Sequence, residues 1–231
     1  MWTMAWDEEL VAGTNGALRD QPPDLLSPVE ADGSVGGHHP PPEAQHSLTT
    51  EPEHDWAVAS ERLLPLLRPM GSGGTPLATL DRDHLATEGL RTHAMPIVDE
   101  GPAGLTIAYA ISADGFDILV NADHLLAWAV EPDQMRAAAM DNLARWSANA
   151  EWTDEAHGGR RLISSDTGSG SDAVRILLPD VRRHLTLQLG QAARVLVAVP
   201  ERHLLVAGAL QESDREFASL FADFVATHAE G

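Results

Sequence analysis

The chain contains no cysteine, no lysine and a single tyrosine among its 231 residues. Without cysteine there is no disulfide framework, no thiol nucleophile, no thiolate-bound zinc and no iron–sulfur cluster. Without lysine there is no Schiff-base chemistry and no Walker-type phosphate loop. Positive charge is scarce: 15 arginines face 35 acids, for a formal net charge of −20. Such a balance argues against broad binding to nucleic acid or to anionic membranes, which both need a positive surface. Long apolar runs are missing too. The stretch from Val195 to Pro200 is among the longest, far below the ~20 residues of a membrane span. Met1–Leu10 has no basic start and no apolar core, so no secretory signal is expected and a cytosolic location is.

What is present divides the chain in two. Residues 1–55 hold eleven acids and one arginine, and Pro22, Pro23, Pro28, Pro40, Pro41, Pro42 and Pro52 punctuate them. Little apolar surface is available to offset the ordering entropy, so a largely disordered acidic tail is expected. Trp2, Met4, Trp6 and Leu10 offer a short docking segment at its start, against the plainer reading of a frayed terminus. His38, His39, His46 and His54 lie in the same tail, but no ligand spacing fixes a metal geometry, and no metal or cofactor is expected.

Residues 56–231 read as one α+β domain. Val58, Leu63, Leu64, Leu66 and Leu67 suit a helix ended by Pro69. Leu105–Ala113 and Phe116–Val120 alternate around Asp114-Gly115, a strong hairpin signal. Asn121 is the expected N-cap of a helix to about Val130. Pro132 opens another helix, with Met135, Ala139, Asn142, Leu143 and Trp146 on its buried face. Arg160–Ser165 is a short strand. From Asp172 a helical pattern runs to Leu189, broken at Pro179. Arg194–Val199 and His203–Leu210 form a second hairpin turning at Pro200-Glu201-Arg202. A capping box, Ser213 to Glu216, opens a last helix with Phe217, Leu220, Phe221, Phe224 and Val225 on one stripe. Two hairpins imply a mostly antiparallel sheet with helices packed on one face.

Three stretches together resemble the YtpQ-type family of uncharacterised bacterial proteins. They are Tyr109–Leu125 with Ala139–Leu143, then Gly168–Pro179, then Ala198–Val206. The resemblance implies an α+β fold and no established activity. Where it places an Asp after the Arg of the third stretch, this chain has His203.

Several patterns suggest chemistry. Asp166-Thr167-Gly168 matches the catalytic tripeptide of aspartic proteases, but those need a second carboxylate and no second copy exists. Gly168, Gly170 and Ala173 fit a loose dinucleotide fingerprint, for which the plainer reading is a helix capped by Asp172. Arg202, Asn142 and Asp172 are the best anchors. Arg202 sits at a hairpin turn, where pairing with Asp172 or Asp166 would pin hairpin to helix. A buried Asn142 requires partners, and backbone near a helix end would serve. The candidate ligand or partner residues are therefore Asn142, Asp166, Asp172, Arg202 and His203. The favoured function is a non-enzymatic cytosolic binding or accessory protein whose partner is another protein. The alternative is a small hydrolase with its site at the Gly168–Asp172 loop.

Overall fold

The computed structural model describes residues 55–81, 94–113, 116–190 and 194–229. The expectations for the acidic tail, its histidines and the Asp114-Gly115 turn lie outside these residues. The fold is α+β, and nearly every strand pairing is antiparallel.

The described part begins with a short helix, α1 (Trp56–Arg62), whose first turn is closed by the Asp55 carboxylate accepting from Ala57 N–H at 2.9 Å. Leu63 does not continue it. The chain turns extended and forms β1 (Leu63–Arg68), so the helix expected to reach Leu67 is corrected to a helix plus a strand. The paired leucines at 63, 64, 66 and 67 do not by themselves choose between helix and strand. Pairing with β4 (Thr106–Ala113) decides, since Leu63 falls opposite Ile111 and Leu67 opposite Ile107. Pro65 is tolerated because β1 is an edge strand.

Two strands that periodicity did not reveal complete this side: β2 (Thr75–Pro76) and β3 (Ile97–Glu100), which pair in parallel with each other. β4 then pairs with β1 on one side, and with β3 and β5 (Phe116–Leu119) on the other. The expected β4–β5 hairpin is present, with Ala113 opposite Phe116. Next comes α2 (Ala122–Trp128). Asn121 caps it as expected, accepting from His124 N–H at 3.2 Å, while the His124 ring returns to Asn121 N–H at 3.1 Å. Pro132 starts α3 (Pro132–Ser147), which buries Met135, Ala139, Asn142 and Leu143; Trp146 is only partly buried.

A second sheet holds β6 (Thr153–His157), β7 (Arg160–Ser165), β8 (Arg194–Glu201) and β9 (Leu204–Leu210), in the order β6-β7-β9-β8. The strands thus divide between two sheets. Between β7 and β8 the chain makes a 3-10 turn, Ala173–Leu177, and then α4 (Pro179–Leu189), two abutting pieces as Pro179 implied. The β8–β9 turn is Arg202-His203, one step later than expected. Glu201 and Leu204 pair directly, and Pro200 lies inside β8 at a register shift. The last helix is α5 (Arg215–Ala229). Its cap is Asp214, which accepts from Phe217 N–H at 3.1 Å, rather than Ser213.

Two apolar cores result. One gathers Leu63, Ile97, Tyr109, Ile111, Leu125 and Met135; the other gathers Leu143, Ile163, Val174, Leu185, Leu205 and Ala207. β1 and α3 contribute to both, because Leu63 and Met135 enter the first while Leu64, Leu67 and Leu143 reach the second. The two cores share this wall.

Candidate functional site

The loop from Asp166 to Asp172 carried most of the sequence-level signals. Asp172 is fully buried and makes no side-chain cap. Its carboxylate instead turns back along the chain. It accepts from Ser165 Oγ at 2.5 Å, Thr167 N–H at 3.1 Å and Thr167 Oγ1 at 2.9 Å. The expected helix cap is therefore corrected to a loop staple. The strands of this sheet pair antiparallel, whereas the dinucleotide fingerprint belongs to a parallel βαβ unit. Asp166 is exposed at the surface beside it.

Beneath this loop lies a group that sequence reasoning missed. Arg175 is fully buried. Its NH1 donates to Ser165 Oγ, which makes Ser165 a relay between the guanidinium and Asp172. Nε donates to Ser147 Oγ at 3.0 Å, NH1 to Glu151 O at 3.3 Å, and NH2 to Ser147 O at 3.2 Å and Ala150 O at 3.3 Å. These carbonyls belong to the end of α3 and the residues after it, where a helix lacks internal donors and favours a cation. Trp152 covers the guanidinium, with its ring centroid 3.9 Å from Cζ. Burial pushes the Arg175 pKa below the usual arginine range, and the Asp172 charge opposes that shift. A sequence signal did exist: Arg175 stands alone inside Ala173-Val174-Arg175-Ile176-Leu177.

Arg202 holds the same loop from above. Nε donates to Gly170 O at 3.1 Å, and Ala173 N–H returns to Arg202 O at 3.2 Å. Gly170 has φ +77, which favours glycine, and a Cβ there would stand 3.2 Å from Arg202 Nε and crowd the guanidinium. The carboxylate partner of Arg202 is not Asp172 or Asp166 but Asp117 on β5, 2.5 Å from NH1. Asp172 is already committed beneath the loop, and β5 delivers Asp117 to the guanidinium. The ion pair therefore joins the hairpins of the two sheets. His203 faces Glu201 at 3.1 Å.

A shallow cleft of about 580 Å³ opens here, lined among others by Phe116, Asp117, Ser169, Arg202 and His203. Its polar groups serve one another. Ser169 Oγ lies 3.0 Å from Thr167 Oγ1 and accepts from Ser171 N–H, while His203 is paired with Glu201.

Asn142 behaves as its burial required. Nδ2 donates to Ser60 O at 2.7 Å and Leu63 O at 2.8 Å, and Oδ1 accepts from Arg145. It bolts α3 to the end of α1 and the start of β1. The structure thus brings Asp172, Arg202 and His203 to one region and leaves Asn142 apart, as a packing anchor.

A different surface is formed by α5. Gly208 on β9 leaves room for Phe217 and Phe221; a Cβ there would approach the Phe221 ring to 3.1 Å. Register carries that face across the sheet, because Gly208 pairs with Leu162 and Leu162 with Glu155. At the near end Arg160 clamps α5, with Nε 2.6 Å and NH2 2.8 Å from the Asp214 carboxylate and NH2 2.6 Å from Glu216. The Arg160 hydrogen bonds, aided by Phe217 N–H, hold the Asp214 carboxyl below its ordinary pKa. Between α5 and the β6–β7 side runs an open groove of about 370 Å³. Leu162, Phe217, Leu220, Phe221 and Phe224 give it an apolar lining, and Leu220 stays 51% exposed.

Among the described residues no group of histidines and carboxylates is placed to hold a metal, and no helix is long and apolar enough to cross a membrane. No family model, curated protein or solved structure matches the chain.

Proposed function

We propose that this chain is a cytosolic, non-enzymatic binding protein that docks another protein along the groove between α5 and the β6–β7 side of the second sheet. The observation that carries the reading is the groove itself. It is open, with a mostly apolar floor bordered by Glu155, His157, Arg160 and Arg161, while the opposite face of the same sheet is packed against α4. Exposed apolar grooves with polar rims are where protein partners seat. Leu220 is 51% exposed, and the apolar surface it shows to water gains nothing for the fold.

The hydrolase alternative needs a nucleophile beside a base. At the Gly168–Asp172 loop the Asp172 carboxylate and the Ser165 and Thr167 hydroxyls are bonded to one another, and the His203 imidazole is paired with Glu201, which favours a structural role for them. Kinship with the YtpQ-type group belongs to the same proposal and rests on the three stretches quoted above.

A photo-crosslinking residue placed at Leu220 should capture a discrete partner in cells, and one at Leu187, exposed on α4, should not. Adding Phe224→Glu to the Leu220 variant should abolish the adduct. Equal capture from both positions would defeat the reading.

A further inference from the structure

Building on that docking reading, we infer that the partner supplies an extended segment that adds to the free edge of β6 and carries a basic residue opposite Glu155. Three features meet there. First, β6 pairs only with β7, all five of its residues are exposed, and no described strand covers its outer edge. An edge of this kind templates strand addition. Second, the edge borders the groove. Glu155 shares the face of Leu162 and Gly208, on which Phe217 and Phe221 lie. An added strand would therefore turn alternate side chains to the groove side.

Third, the local charge selects the occupant. Arg161 is taken by Asp154, 2.5 Å away, and Arg160 by Asp214 and Glu216. Glu155 stands in the middle of β6 with no partner among the described residues. Two-fold antiparallel pairing with a second copy about this position would set Glu155 against Glu155, and like charges directly opposite are destabilising. A segment with Lys or Arg at that point and apolar residues two places either side satisfies charge and groove together.

The test uses the full chain, isotope-labelled, with two capped peptides as probes: Thr-Val-Thr-Lys-Thr-Val-Thr and its counterpart with Glu at the centre. The expected result is that the Lys peptide shifts the amide resonances of residues 153–157 and 217–224 and binds about tenfold tighter than the Glu peptide, as a single close charge pair allows. Glu155→Lys should reverse that preference, with circular dichroism confirming that the variant is folded. Equal binding of both peptides at the groove would overturn the charge selection and leave the docking reading intact. No shift from either peptide, with the Leu220 crosslink persisting, would overturn strand addition alone; with the crosslink also lost, both readings fall. A dimer in sedimentation equilibrium that disappears in Ala156→Pro would assign the edge to a second copy and overturn the inference.

Discussion

The two faces of the second sheet are built from the same four strands and treated differently. On one face Ile163, Leu205 and Ala207 meet Val181, Leu185 and Leu189 of α4, and all six are buried. On the other, α5 sits over Gly208, burying Phe217 and Phe221 and leaving Leu220 51% and Phe224 36% exposed. A closed face stabilises the domain, whereas an open one is available to something else. The stapled loop belongs to the closed side, since its carboxylate, its relay serine and Arg175 all lie under cover. On the proposed reading, stability and recognition have separate addresses on this sheet.

The largest effect should come from the buried guanidinium. Arg175→Ala removes the donor to two hydroxyls and three carbonyls at once. Buried acceptors left without partners, plus the cavity, should lower the unfolding free energy by about 3–5 kcal/mol in denaturant titration. A loss below about 1 kcal/mol would mean that the cluster relaxes or admits water.

The contrast between the faces is sharpened by a pair of truncations. Leu185→Ala, on the closed face, should cost about 2–4 kcal/mol. Leu220→Ala, on the open face, should change stability by less than about 0.5 kcal/mol. Similar costs would show that α5 is as firmly packed as α4 and erase the distinction.

Arg202 tests the link between the two hairpins. Its side chain is 52% exposed, so screening limits the Asp117 ion pair. Arg202→Ala should therefore cost no more than about 1 kcal/mol. In double-mutant cycles it should couple to Asp117→Asn and not to Asp172→Asn. Coupling to Asp172 would restore the pairing expected from sequence.

The smallest signal is spectroscopic. Tyr109 is the chain's one tyrosine and is buried, with Asp99 3.4 Å from its hydroxyl. Burial, then the Asp99 charge, raises its pKa above the ordinary phenol value. The neutral form is thus favoured in the folded state. Stability should be undiminished below pH ~10, where an unfolded tyrosine ionises, and should fall as pH rises further. Tyrosinate absorbance should appear only together with unfolding. A reversible titration at the ordinary value, with the fold intact, would show that the site is solvated.

Local chemistry made much of this legible in advance. Asn121 before Ala122, Pro132 and Pro179 at helix starts, and alternation around residues 114–115 each act within a few residues, so their outcome does not depend on the rest of the chain. Asn142 was legible for another reason: a polar side chain on an apolar helix face has few solutions, and helix-end carbonyls are one. β2 and β3 were not legible, because short strands carry too few residues for a period to show. β6, with every residue exposed, has no apolar alternation to read.

The sequence by itself determined the α+β class, the absence of thiol and lysine chemistry, and the placing of most helices, because composition and capping are properties of the chain at short range. Tertiary structure alone decided the partners. Whether Leu63–Leu67 became helix or strand depended on β4. Whether Asp172 capped a helix or stapled a loop depended on Ser165 and Arg175. Whether Arg202 found Asp172 or Asp117 depended on where a second sheet brought its hairpin. Each choice joins residues distant in sequence or weighs competing local bonds, and its free energy comes from burial and pairing that exist only once the elements have met.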